Sequence, residues 1–226
     1  MKLVIILKIK INGLGVFTNN EITLFKLGRS RGMKTLEEIL PEYSGIVISD
    51  RYAAYNYFDS SNRQICWAHL MRDFERMANS WSSELSKIGK EIKELCGEVF
   101  ILLKKLRNNE IKHHIFLKRC NSLRKKIQAL LKLPLDLPEV SHAKKVCNNI
   151  MKSESMMWKF LEDPLNIDIT NNLAERQIRP YVIYRKMSFF TWSHEGERFL
   201  ERIMSLTMSN PNQNPFNLIN GILAAN

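Results

Sequence analysis

Gly45-Ile46-Val47-Ile48-Ser49-Asp50 sets three β-branched residues in a row between a glycine and a polar end, and it finishes on an acid. So short an apolar run, bounded in this way, reads as a buried strand. An acid at the carboxyl end of such a strand projects into the open end of the sheet, where ligands usually bind. A plainer role is also open to Asp50, as the cap of the segment Arg51-Tyr52-Ala53-Ala54-Tyr55. Upstream, Leu3 to Ile11 is rich in β-branched residues, Gly13 and Gly15 punctuate it, and Val16-Phe17 continues it. Asn19-Asn20 is a turn signal, Glu21 to Leu27 alternates like a strand, and Ser30 is placed to cap a helix through Leu36, Ile39 and Leu40. Strand, turn, strand, turn, strand, helix, strand is an α/β or α+β pattern.

Downstream, Gln64 to His69 reads as a short strand that runs on into a helix with Phe74 and Met77 on one face. From residue 84 to about 161 the period changes. Ile88, Ile92, Leu95, Val99, Leu102 and Leu106 recur at helical spacing, as do Leu117, Cys120, Leu123, Ile127 and Leu130. Pro134 and Pro138 break the pattern, and Val140, Ala143, Cys147, Ile150 and Met151 open a third helix. Between residues 85 and 160 there are 17 Lys or Arg against seven acids, a net of +10, out of +11 for all 226 residues. The positive charge therefore belongs to a helical insertion. Such a stretch is either a solvated helix face or a surface for a phosphate backbone. The expected division is 1–83 as the first part of a core, 84–161 as the basic helical insertion, and 162–226 as the second part of the core.

In that last part, Thr170-Asn171-Asn172 is placed to cap a helix that should end near Pro180. Val182-Ile183-Tyr184 and Met187 to Trp192 read as strand or extended loop. Glu195 to Met208 reads as a helix with Phe199, Leu200, Ile203, Met204 and Leu206 inward, and Asn214-Pro215 caps a last short helix. Cys66, Cys96, Cys120 and Cys147 form no CxxC pair and read as reduced, cytosolic thiols. The apolar start, Met1 to Lys10, is too short to span a bilayer, and no small-residue cleavage site follows it. Neither a secretion signal nor a membrane anchor is expected.

Glu175 lies in Asn172-Leu173-Ala174-Glu175-Arg176-Gln177-Ile178-Arg179-Pro180. A helix N-terminus alone would favour such an acid, and Arg179 stands at the i,i+4 position. Arg176 and Arg179 flank it, however, and Arg185-Lys186 follow. A carboxylate ringed by cations suits a site where the acid holds a hard cation and the cations hold phosphate oxygens. Cys66-Trp67-Ala68-His69 is a further block. Two ligands do not make a zinc site, so a buried Cys with a hydrogen-bonded His stands beside any ligand role.

In this order the blocks are specific. Asp50-Arg51-Tyr52-Ala53-Ala54-Tyr55, then Cys66-Trp67-Ala68-His69 with Arg72 and Phe74, then the Asn172–Pro180 block, then Arg185-Lys186 and a Ser205-Leu206-Thr207 helix resemble the insertion-sequence 66 family of DDE transposases, over roughly residues 14–210. The resemblance implies a ribonuclease-H-like mixed sheet with flanking helices, interrupted by an all-helical insertion. It implies two aspartates on strands and a glutamate on a later helix. Asp50 matches the second aspartate and Glu175 the glutamate, as catalytic and metal-binding residues. Arg176, Arg179, Arg185 and Lys186 match DNA-binding positions, and Cys66 and His69 match a supporting signature. The chemistry implied is metal-dependent DNA cleavage and strand transfer by a polynucleotidyl transferase. Two Mg²⁺ or Mn²⁺ ions activate the nucleophile and stabilise the leaving oxygen. The implied partners are DNA, further copies of the chain or a full-length transposase, with no membrane. The implied setting is a bacterial cytoplasm, at the nucleoid.

One departure stands out. The first aspartate should lie on the strand before Gly13–Phe17, near or before residue 1, yet residues 1–20 contain no Asp and no Glu. Glu21, the first acid, is poorly placed for the role. The expectation is a truncated or decayed transposase, inactive as this chain, with metal binding weakened. The alternatives are a non-catalytic DNA-binding remnant that acts with a full-length transposase, and another metal-dependent nuclease of the same fold.

Overall fold

Val4–Ile9 (β1), Leu14–Thr18 (β2) and Thr23–Leu27 (β3) form an antiparallel meander. The computed structural model describes residues 4–9, 14–19, 21–27, 32–137, 141–188 and 193–224. In the β2–β3 turn the Asn19 carboxamide oxygen accepts the amides of Glu21 and Ile22 at 2.9 and 2.7 Å, the local bonding that makes Asn a turn residue. Ile46–Ser49 (β4) is wholly buried and runs parallel to β1, with Val4 opposite Ile46 and Ile6 opposite Ile48. With Arg63–Ile65 (β5) the strand order is β3-β2-β1-β4-β5. The architecture is therefore mixed α/β, as the alternation of periods implied.

Met33–Ile39 (α1) follows β3. Its N-cap is Gly32, which supplies no side-chain bond, whereas the expected cap, Ser30, lies outside the described residues. Leu36 of α1, Phe17, Val47, Ala54, Tyr55 and Phe58 form one buried cluster. A short 3-10 turn, Ala53–Tyr57, brings in the last three of these.

The chain divides into two units, Met1–Arg63 with Thr170–Asn226, and Gln64–Ile169. The expected limits were residues 83/84 and 161/162. The flanking segments join the helical unit for a packing reason. Trp67 opens Trp67–Ala78 (α2), where His69 also lies, on a helix rather than the expected strand. The Trp67 ring meets Trp158 edge-on at 4.9 Å and Phe160 at 5.8 Å. Its indole N–H donates to the Met157 carbonyl at 2.8 Å, and its backbone amide donates to Ile169 at 2.7 Å. The two ends of the unit are thus tied to one another.

The rest of this unit is Ser83–Arg107 (α3), His113–Lys132 (α4), Ser141–Lys152 (α5) and Glu154–Met157 (α6). Each long helix buries one stripe: Ile92, Cys96 and Val99 on α3; Phe116, Cys120 and Ile127 on α4; Cys147 and Ile150 on α5. Gly89 of α3 lies against the end of α2, where a Cβ would stand 2.3 Å from the Ala78 nitrogen. Arg124 of α4 grips Glu154 with two bonds of 2.6 Å and lies 6.0 Å over the Trp158 ring. All four cysteines are buried and none forms a disulfide, and burial pushes the Cys96 and Cys120 thiols up to about 12.

The first unit is completed by Asn172–Ser188 (α7), His194–Ser209 (α8) and Pro215–Ala224 (α9). Helix α7 does not end at Pro180, and residues 182–184 are helical rather than extended. Pro180 removes one helical donor, at a cost of about 3 kcal/mol in an ordinary helix interior. The buried stripe Ala174, Ile178 and Tyr181 runs straight across it, so packing on both sides holds the helix together. Residues 189–192, expected as strand or loop, lie outside the described residues.

Helix α8 buries Leu200, but Phe199, expected inward, is 67% exposed. The reason lies in what α8 covers. β3 is an edge strand, and its outward amides are met by α8 side chains. Thr23 donates to Ser209 Oγ and Phe25 to Ser205 Oγ, each at 2.9 Å, and Leu27 donates to Glu201 Oε1 at 2.6 Å. Four helical residues rise about 6 Å and two strand residues about 6.8 Å, so residues at i, i+4 and i+8 keep pace with alternate amides.

Candidate active site

Asp50 follows the last residue of β4, at the carboxyl end expected for a site acid, and is 8% exposed. Its Oδ1 accepts the Tyr52 amide at 2.9 Å. Tyr52 itself is the N-cap of the Ala53–Tyr57 turn, so Asp50 supports that turn from two residues before it. The capping role weighed from the sequence is therefore present in this altered form. Arg63 is nearby in charge terms and only 3% exposed. Burial pulls its guanidinium below the ordinary range, while Tyr55 and Asp50 act in the opposite sense. The Arg63 Nη1 donates to Asn56 Oδ1 at 3.0 Å, and its buried Nε has no partner among the described residues. Arginine keeps its proton inside proteins, so Asp50 shares its surroundings with a fixed cation. Nothing in the sequence marked Arg63; a cation opening a strand gives no sign of burial.

Glu175 lies in the first turn of α7, half-buried, with its amide bonded to the Asn171 carbonyl at 3.1 Å. Arg176, Arg179 and Lys186 are exposed and Arg185 is half-buried. Arg179 makes no ion pair among the described residues, so the i,i+4 partnership weighed for Glu175 is not formed. Glu175, Arg179 and Lys186 stand at i, i+4 and i+11 and share one stripe of the helix. Asp50, Glu175 and the four cations all belong to one unit. Cys66 and His69 belong to the other. There Cys66 is the buried N-cap residue of α2, and its carbonyl accepts the His69 amide at 3.2 Å.

Two-metal phosphoryl transfer calls for several carboxylates around two ions. Among the described residues no group of three or more His, Cys, Asp or Glu is placed to hold a metal. Asp50 has one oxygen engaged by a backbone amide and a buried guanidinium for company. This donor set does not fit a two-metal centre. A groove of about 850 Å³ lies between β3, α1 and α8, but its lining includes none of the candidate residues. No helix among the described residues is long and apolar enough to cross a membrane.

A family model described as Transposase IS66 family matches residues 13–198. An uncharacterized protein of Sinorhizobium fredii (strain NBRC 101917 / NGR234), y4qI, is 27% identical over 203 residues. The match covers 84% of this chain and 37% of that protein, so the chain spans well under half the length of this relative. No solved structure matches the chain. The class these findings define is a transposase domain. The chain belongs to the IS66 family of transposases.

Proposed function

We propose that this chain is a transposase catalytic unit on a ribonuclease-H-like sheet whose acid set is incomplete, so that it holds DNA without cutting or joining it. One observation carries the reading. β1 is the central strand, parallel to β4, and Val4–Ile9 contains no acid. By the family resemblance, the strand beside the one bearing Asp50 supplies the first aspartate. Further support comes from the order of the elements: Asp50 after β4, a helical unit, then Glu175 on α7. Asp50 and Glu175 are the two remaining acids, and Arg176, Arg179, Arg185 and Lys186 contribute phosphate contacts along α7. DNA is the partner, and a full-length transposase would supply the chemistry, while a further copy of this chain would add binding surface only.

The test is incubation of the purified chain with labelled insertion-end DNA and Mg²⁺ or Mn²⁺. Neither nicking nor joining is expected. Loss of a metal-bridging carboxylate removes several kcal/mol of transition-state stabilisation, roughly a thousandfold or more in rate. Lys8→Asp restores an acid at the position level with Asp50, since Ile6 pairs with Ile48 two residues earlier in each strand. This variant is expected to gain metal-dependent nicking. Metal-dependent nicking by the unaltered chain, abolished in Asp50→Ala, would overturn the reading.

A further inference from the structure

Helix α4 holds six Lys or Arg and no acid in twenty residues. Arg124 is spent on Glu154 inside the unit. Lys118, Arg119, Lys125, Lys126 and Lys132 have no ion pair among the described residues. Against α3 this helix forms a groove of about 350 Å³. Its walls repeat one spacing: Glu98, Ile101 and Lys105 on α3 and Arg119, Ser122 and Lys126 on α4, each set at i, i+3 and i+7 and all exposed. Leu102 and Leu123 close the floor. Lys105, Arg119 and Lys126 face this groove uncompensated, because Glu98 bonds to none of them.

We infer that the α3–α4 groove is a docking site for the phosphodiester backbone of duplex DNA, with Lys105, Arg119 and Lys126 as phosphate contacts and Ser122 as a hydroxyl donor. Three observations choose this occupant. The charge is one-signed along α4, which suits a polyanion rather than a protein surface of mixed charge. Five of the eight residues that line the groove are polar or charged, which suits a phosphate backbone better than an apolar peptide side chain. Seven helical residues separate Arg119 from Lys126 by about 10.5 Å, which matches about three nucleotide steps at roughly 3.4 Å each. The contacts are to backbone, so the site positions DNA and reads no sequence. This inference rests on the reading of the chain as DNA-acting, and it adds a backbone-binding surface on the helical unit to the contacts proposed along α7.

The experiment measures the affinity of the full chain for a short DNA duplex across a salt series, with chelator present so that metal-dependent chemistry plays no part. Each phosphate contact contributes about 0.9 to the slope of log affinity against log salt. Lys105→Ala, Arg119→Ala and Lys126→Ala combined are expected to flatten that slope by about 2.7. Lys87→Ala, Lys90→Ala and Lys152→Ala combined remove the same charge from exposed positions of the same unit outside the groove, and should change the slope by less than one contact's worth. Unchanged helical circular dichroism would confirm that both variants fold. Equal flattening by the two variants would overturn the groove and leave a diffuse charge effect. An RNA duplex bound as tightly, with the same loss in the groove variant, would overturn the assignment to DNA. Absence of salt-sensitive binding in the unaltered chain would instead sink the DNA-acting reading on which this one rests.

Discussion

Gln64 is fully buried and uses both ends of its amide. Its nitrogen donates to Ile65 and Met157 carbonyls at 2.7 and 3.0 Å, and its oxygen accepts the Phe160 amide at 2.7 Å. Gln64→Leu keeps most of the volume but strands the Phe160 amide away from water. A buried donor without a partner costs about 1–3 kcal/mol, so the variant should lose roughly 2 kcal/mol of stability in urea unfolding, despite its greater apolarity. No change would mean that the amide is solvated in solution. Single residues were the scale at which sequence reading was least even. The placement of Asp50 at a strand's end and of Glu175 near a helix's start was legible, because strand and capping patterns surround them, and the structure has both there. Gln64 was not legible because its burial depends on partners about a hundred residues away, Met157 and Phe160, and Arg63 was not because its bond to Asn56 follows from the fold rather than from any local pattern.

At the scale of elements, two glycines on α3 make opposite predictions. A methyl group at Gly89 would meet the backbone of α2 at 2.3 Å, and backbone cannot swing aside. Gly89→Ala is expected to destabilise the protein by about 2 kcal/mol through overpacking, even though alanine favours the helix. Nothing lies within 4 Å of a methyl group at Gly97, so Gly97→Ala should stabilise by about 0.5–1 kcal/mol. Thermal unfolding of the two variants reads both signs at once, and a shared sign would contradict the close helix approach. The helices of the insertion were legible from period alone, since Ile92, Val99, Cys120 and Ile127 all fall on buried stripes, although α4 buries Phe116 and Leu131 where Leu117 and Leu130 were expected. Pro180 misled because its local rule was outweighed by the stripe across it, and Phe199 misled because α8 turns polar residues towards the sheet.

At the scale of the whole molecule, the division into units follows where the aromatic residues gather rather than where the charge changes. Trp67, Trp158 and Phe160 draw Gln64–Ile169 into one body whose ends meet through the Trp67 amide and the Ile169 carbonyl. A contiguous segment with closed ends and its own core should fold when excised. Residues 64–169 expressed alone are expected to show helical circular dichroism and a single cooperative unfolding transition. A non-cooperative, expanded chain would show that the core depends on the rest. Charge showed that the basic residues concentrate in the insertion, but the aromatic ties that set its limits needed coordinates.

The contact of α8 with β3 bears on how such a sequence ages. An unsealed edge strand invites pairing with a second chain, the first step of aggregation. Here the seal is Glu201, Ser205 and Ser209, all beyond residue 198, where the match to the family ends. Drift at these three positions would leave the matched segment untouched while opening the sheet to strangers. Solubility would then fail without any change at Asp50 or Glu175, because the side chains that seal the edge are not the candidate site acids.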